Sequence, residues 1–226
     1  PVVSTGFVTV QPGTGAGFAP LFAGGPGLWD GFVFKLSPDG STAVYASYLG
    51  GTAADYVNDV ALDSQGQLAV VGYTDSPSGS ATPFPTLNFL PSMNTYRGTG
   101  SIQNADPLDD ANAGEGFVLK LNAAGTGLIF SSYLGGSGYD ESIAAGVDLT
   151  TDQVFVAGNT QSPGVPPGPT GVGAFPTTVG AFDRTVNGLD AFVSRINAGG
   201  STYVFSTILG GSASEVVGGI SIDAAG

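Results

Sequence analysis

The densest set of hard oxygen ligands in this chain is Asn104-Ala105-Asp106-Pro107-Leu108-Asp109-Asp110, with Glu115 just beyond it. Asp106, Asp109, Asp110 and Glu115 are residue types that calcium favours, because that ion takes about six to eight oxygens and tolerates irregular geometry. Their spacing is not that of an EF-hand loop, so a solvated acidic loop is the competing reading. Other carboxylates are spread along the chain in series: Asp55, Asp140 and Glu215 form one, and Asp63, Asp148 and Asp223 another. A group that recurs in every copy of a repeat reads as a structural part, here a turn cap that accepts backbone N–H bonds. Catalysis needs a special constellation in one place. Lys35, Lys120 and Arg195 also recur, beside Asp30, Glu115 and Asp190, which predicts ion pairs within or between repeats.

Absent residue types bound the chemistry more tightly. The 226 residues contain no His and no Cys, which removes the usual general base, the Ser-His-Asp triad, thiolate metal sites and any disulfide framework. A glycosidase needs two carboxylates facing each other roughly 5 to 10 Å apart, and none stands out from the repeat except Asp106 to Glu115 and Asp183. Trp29, Tyr96 and Phe182 offer stacking surfaces for sugars, although packing is the commoner use of such rings. The expectation is therefore a protein that is not an enzyme, with no catalytic residue and no cofactor beyond the candidate calcium ion. Eighteen acidic side chains against five basic ones give a net charge of −13, which repels phosphate backbones and anionic lipid and argues against nucleic-acid or membrane partners. No apolar run approaches the about 20 residues needed to cross a bilayer. The chain opens with Pro and carries no signal peptide, which reads as a processed product or an internal stretch of something longer.

The elements that must position these residues come from a repeat written three times. Asp30-Gly31-Phe32-Val33-Phe34-Lys35-Leu36, Glu115-Gly116-Phe117-Val118-Leu119-Lys120-Leu121 and Asp190-Ala191-Phe192-Val193-Ser194-Arg195-Ile196 each alternate like a strand. Each is followed by a turn and a second strand ending in Leu-Gly-Gly, at 49–51, 134–136 and 209–211. Residues 58–63 and 68–74 continue the first unit as a third and fourth strand, 142–148 and 154–160 the second. Four antiparallel strands in a meander are the plan of one propeller blade. The third unit stops after its third strand, at 217–223. Laying Asp223-Ala224-Ala225-Gly226 on Asp63-Ser64-Gln65-Gly66 lets Pro1-Val2-Val3-Ser4-Thr5-Gly6-Phe7 continue over residues 67–73 without a gap. The expected organisation is thus 1–29 as the fourth strand plus loop of a shared blade, 30–114 as blade unit one with a long insertion, 115–189 as blade unit two, and 190–226 as the first three strands of blade unit three. Pro1 to Phe7 together with Val217, Ile220 and Ile222 form the expected assembly interface. Long Gly- and Pro-rich segments separate the units and share Phe84-Pro85-Thr86, Phe175-Pro176-Thr177 and, more loosely, Phe18-Ala19-Pro20. Segments of that length call for binding or packing against a neighbour.

Tyr-Leu-Gly-Gly, Gly-Asn-Thr, the run Phe-Pro-Thr-Thr-Val-Gly-Ala-Phe-Asp at 175–183 and Asp-Ala-Phe-Val-Ser-Arg-Ile at 190–196 together resemble the SBBP β-propeller repeat family. The resemblance runs from Pro1 to Gly226. It implies a secreted or cell-surface protein built of propeller blades, with no assigned activity and no catalytic residues to carry over. Ile208 stands where the repeat has Tyr, and the insertion at 75–114 is unusually long.

The sequence therefore predicts an all-β, propeller-like protein of four-stranded antiparallel blades whose last blade is completed by the N-terminal strand of the same or a neighbouring copy. Its expected role is a structural or interaction module of an extracellular or cell-surface assembly. Copies would join head to tail by strand complementation into a filament or a ring. The alternatives are a propeller that binds carbohydrate or another surface ligand through its long loops, and, third, a propeller glycosidase.

Overall fold

The computed structural model describes residues 28–76, 84–85, 114–164 and 173–223. Among these the chain forms ten strands and no helix: β1 (Gly31–Leu36), β2 (Ala43–Leu49), β3 (Asp55–Leu62), β4 (Leu68–Thr74), β5 (Glu115–Leu121), β6 (Leu128–Tyr133), β7 (Asp140–Asp148), β8 (Gln153–Thr160), β9 (Asp190–Ile196) and β10 (Tyr203–Leu209). Their β-branched and aromatic content and the polar turns between them are what strands require. The turn from β3 to β4 closes on Gly66 at φ 75°. The longer turn from β7 to β8 instead holds Asp152 at φ 55°, a region that Asp tolerates better than most residues.

The strands form three antiparallel sheets, β1-β2, β3-β4-β5-β6 and β10-β9-β8-β7. Four-stranded units are thus present, but their boundaries differ from the expected ones. A sheet ends at Leu-Gly-Gly, so β1 and β2 are separated from β3 and β4, which join β5 and β6 of the following repeat. The reason lies in the apolar runs. β4 and β5 are buried along almost their whole length and pair at seven consecutive positions from Leu68↔Leu121 to Thr74↔Glu115. The insertion at 75–114 is therefore a connection inside a sheet. The expectation that the last blade lacks its fourth strand is corrected as well, because β7 to β10 already make a full sheet from one chain. Among the described residues the sheet with fewer than four strands is the first, β1-β2.

Each four-stranded sheet is built around a Phe on its third strand. Phe117 and Phe192 are fully buried, and their rings lie 4.4 Å from those of Phe84 and Phe175. The shared Phe-Pro of the long segments therefore lids each sheet, and it is fastened there: Ser131 Oγ donates to the Pro85 carbonyl at 2.6 Å and Ser206 Oγ to that of Pro176 at 2.5 Å. Such ring pairs contribute about 1 kcal/mol beyond the area they bury. Gly72 and Gly158 lie beneath the two rings on the neighbouring strand, where a Cβ would collide with the Tyr56 or Glu141 carbonyl as well as with the Phe.

Candidate functional site

The repeated carboxylates sit at two kinds of corner, and the first is Leu-Gly-Gly. Asp55 accepts from Gly51 N–H at 2.8 Å, from Ser76 Oγ at 2.8 Å and from Thr74 Oγ1. Asp140 accepts from Gly136 N–H at 2.7 Å and Ser162 Oγ at 2.6 Å. Glu215 accepts from Gly211 N–H at 3.1 Å. These acids thus tie the exit of one sheet to the entry of the next, the capping role expected from their recurrence. Asp55 and Asp140 are buried, and loss of hydration pushes them up to about 6 and about 7 against the opposing pull of their hydrogen bonds. For Asp55, the nearby Asp30 adds repulsion.

Of the candidate calcium ligands, Asp106, Asp109 and Asp110 lie outside the described residues. Glu115 opens β5 and is buried. It flanks Gly135 so closely, opposite Asp140, that a Cβ on that glycine would collide with both carboxylates. Among the described residues no group of three or more acidic side chains is gathered in a way that suits a metal.

The second corner is the turn that leaves β3 or β7. Asp63 Oδ1 accepts from Gln65 and Gln67 N–H, both at 2.8 Å, and Asp148 Oδ1 from Thr150 N–H at 2.8 Å. Each acid also receives a cation from across the sheet: Lys120 Nζ lies 2.8 Å from Asp63 Oδ2, and Arg195 Nη2 lies 2.8 Å from Asp148 Oδ2. The cations therefore do not pair with Glu115 and Asp190, their expected partners. A strand rises about 3.3 Å per residue, so an acid five positions earlier sits roughly 16 Å away at the other end of the strand. Pairing instead spans the intervening strand and fastens the strand of one repeat to the turn of the repeat before it.

Sequence reasoning missed the role of Asp152. Its carboxylate accepts from Ser64 N–H at 2.9 Å, Ser64 Oγ at 3.0 Å and Gln65 Nε2 at 2.9 Å, while its carbonyl accepts from Lys120 Nζ at 3.1 Å. These bonds hold its carboxyl below the ordinary range, the Gln65 amide contributing most. Only the extra residue in that turn signalled it. A row of tyrosines also went unseen, because its members come from separate elements: the Tyr73 ring centroid is 5.9 Å from that of Tyr56 and 5.7 Å from that of Tyr139. Of the expected stacking residues, Trp29 and Phe182 are exposed, and Tyr96 lies outside the described residues.

The two ends of the described chain are where the repeat is unfinished. Phe32, Phe34 and Leu36 of β1 are 37%, 51% and 47% exposed, whereas their equivalents Phe117, Leu119 and Leu121 are fully buried. At the other end, residues 212–223 form no strand yet lie where β3 and β7 lie in the earlier repeats. Glu215 N–H donates to the Leu189 carbonyl at 2.8 Å, as Asp55 N–H does to Trp29 and Asp140 N–H to Gly114. Asn159 brackets the segment, donating to the Glu215 carbonyl at 2.6 Å and accepting from Val217 N–H at 3.2 Å. Of the expected interface residues, Val217, Ile220 and Ile222 are half-buried, and Ile220 and Ile222 reach Gly146 of β7. These two isoleucines therefore already face their own chain, leaving Val216, Gly218, Gly219 and Ser221 exposed. Pro1 to Phe7 lie outside the described residues.

No protein-family model matches the chain. No curated protein matches it either.

Proposed function

We propose that the protein is a structural and interaction module of an extracellular or cell-surface assembly, made of propeller-like sheets and joined head to tail to copies of itself in a filament or a ring. One observation carries the reading: β1 repeats the sequence of β5 almost residue for residue, yet exposes the three large apolar side chains that β5 buries. Covering three such side chains contributes on the order of a few kcal/mol. The resemblance to the SBBP repeat family supports the surface location. Analytical ultracentrifugation over a wide concentration range tests the assembly. Concentration-dependent association is the expected result, and a folded monomer throughout overturns the reading.

A second reading, glycan binding, draws on the tyrosine row, with Tyr56 exposed at its end. Rings arranged in a row suit sugar faces, and Asp75 and Glu141 anchor the Tyr73 and Tyr139 hydroxyls at 2.5 and 2.7 Å. Glycan-array binding lost in Tyr56→Ala would favour it, and binding indifferent to that change would count against it.

A further inference from the structure

The tyrosine row carries a rim of hydrogen-bond acceptors. Tyr56 on β3 and Tyr73 on β4 face each other across the strand pair, and Tyr139, just before β7, lies against Tyr73. Adjacent rings are tilted by 42° and 40°, so each presents a face of its own. The backbone makes room for them: a Cβ on Gly114 would collide with the Tyr73 ring, which is therefore seated before any ligand arrives. The side-chain protons around Tyr73 and Tyr139 are already given away. The two hydroxyls donate to Asp75 and Glu141, and Asn58 Nδ2 donates to Glu141 Oε1 at 2.9 Å and to the Ser142 carbonyl at 3.0 Å. Burial, and then the bond to the neighbouring carboxylate, raises both hydroxyls above their ordinary value, so these protons stay in place. What remains on the rim is oxygen that accepts: Asp75, which is exposed, Glu141 and the two phenol oxygens. The charged groups acting on those hydroxyls are Asp75, Glu141 and Asp140, with no cation among them.

We propose that this row binds a carbohydrate chain bearing free amino groups, with an ammonium held by Asp75 beside the tyrosine faces. This deepens the glycan reading above and rests on it. Two properties of the surface select the class. An ammonium donates and has no acceptor capacity, which complements a rim that accepts. It gains a charge-assisted bond to the carboxylate and attraction to the face of a tyrosine ring. The C–H face of the sugar that carries it supplies apolar area for the rings, whose centroid spacings of 5.9 and 5.7 Å come close to one sugar unit per ring. A carboxylated, sulfated or phosphorylated glycan instead brings acceptors and negative charge to a rim of the same kind, on a chain of net charge −13, and like charge opposes docking. An N-acetylated sugar stacks equally well but carries an amide in place of the ammonium, and it forfeits the charge-assisted bond. The rings thus hold the sugar, and Asp75 reads the charge on its nitrogen.

Calorimetric titration of the whole chain with three oligosaccharides of one length tests this: a β-linked glucosamine oligomer, its fully N-acetylated counterpart and a uronic acid oligomer, at a pH where the amines are charged. The glucosamine oligomer should bind at least about tenfold more tightly than the acetylated one, and the uronic acid oligomer should not bind. Asp75→Asn is the discriminating variant, because Asp75 is exposed and the new amide oxygen can still accept from the Tyr73 hydroxyl. It should lose most of the preference while keeping the parent's affinity for the acetylated oligomer. Tyr56→Ala should weaken binding of both. Circular dichroism verifies the fold of each variant. Equal affinity for the amino and acetylated oligomers, or a preference that survives Asp75→Asn, would overturn the charge selection while leaving glycan binding standing. Failure of all three oligomers to bind would overturn the glycan reading and this inference with it. An oligolysine that competes as strongly as the glucosamine oligomer would show that charge alone is recognised, and would overturn the sugar as occupant.

Discussion

Two joints of one design differ in how well they are sealed. At the joint between the first and second repeats, within the sheet β3-β4-β5-β6, Lys120 and Asp63 have side chains only 1% and 0% exposed. One repeat later Arg195 and Asp148 are 19% and 4% exposed. The first pair is covered by the turn from β7 to β8, which Asp152 fastens to Ser64 and Gln65. Arg195 instead rests on the Phe155 ring, 4.8 Å from its centroid, and keeps one side toward water. A joint is thus finished by the sheet that follows it, and burial falls off toward the end of the described chain.

The comparison breaks most visibly at the buried cation. Lys120→Met removes the ammonium and leaves the Asp63 carboxylate buried without its counter-charge, which should lower stability by about 3 to 5 kcal/mol. Arg195→Met removes a cation that water already reaches and leaves Asp148 with its hydrogen bonds from Thr150 and Thr151, so it should cost less, about 1 to 2 kcal/mol. Urea denaturation of both variants measures the difference. Equal losses would mean that the covering turn does not distinguish the joints.

How far the sequence carries is visible in these same residues. The period identified every strand from β1 to β10, because alternation and turn chemistry are local. It also identified the capping acids, because a turn cap bonds to its near neighbours. It misplaced the sheet boundaries and the ion pairs for a single reason: both depend on which strand lies beside which. A meander unit cut at any strand has the same period, so the phase is revealed by the pairings across the long segments, β4–β5 over a 40-residue insertion and β8–β9 one repeat later. The same blindness hid the tyrosine row.

The Gly-Gly corners sharpen the comparison through pH. Asp140 titrates in the folded protein near 7 and Asp55 near 6, both above the ordinary value of 3.8, because burial penalises the charge. The folded state therefore holds a proton that the unfolded state has released, and unfolding free energy falls as pH rises from roughly 4 to 7. Stability is regained on acidification through the same window. Fewer negative charges in a chain of net charge −13 act in the same direction, so the informative quantity is the difference from a variant. Asp140→Asn should remove more of the change in unfolding free energy across this window than Asp55→Asn, on the order of a few kcal/mol against a smaller amount. Slopes identical to the parent's in both variants would show that neither corner titrates in this range.

The smallest difference expected is between two substitutions of Asp152, and it separates two roles of that residue. Its carboxylate bonds the turn of one sheet to the turn of the next, while its backbone holds φ at 55°. Asp152→Ala loses the bonds and keeps a Cβ in the left-handed region, whereas Asp152→Gly loses the same bonds but relieves the backbone. Alanine should therefore cost about 1 to 2 kcal/mol, and glycine less, by about 0.5 to 1 kcal/mol. Both variants should also let water reach Lys120, so the penalty of Lys120→Met measured in either background should shrink toward that of Arg195→Met. A penalty unchanged from the parent background would mean that the turn covers Lys120 without help from Asp152, and burial at this joint would then follow from the packing of the two sheets alone.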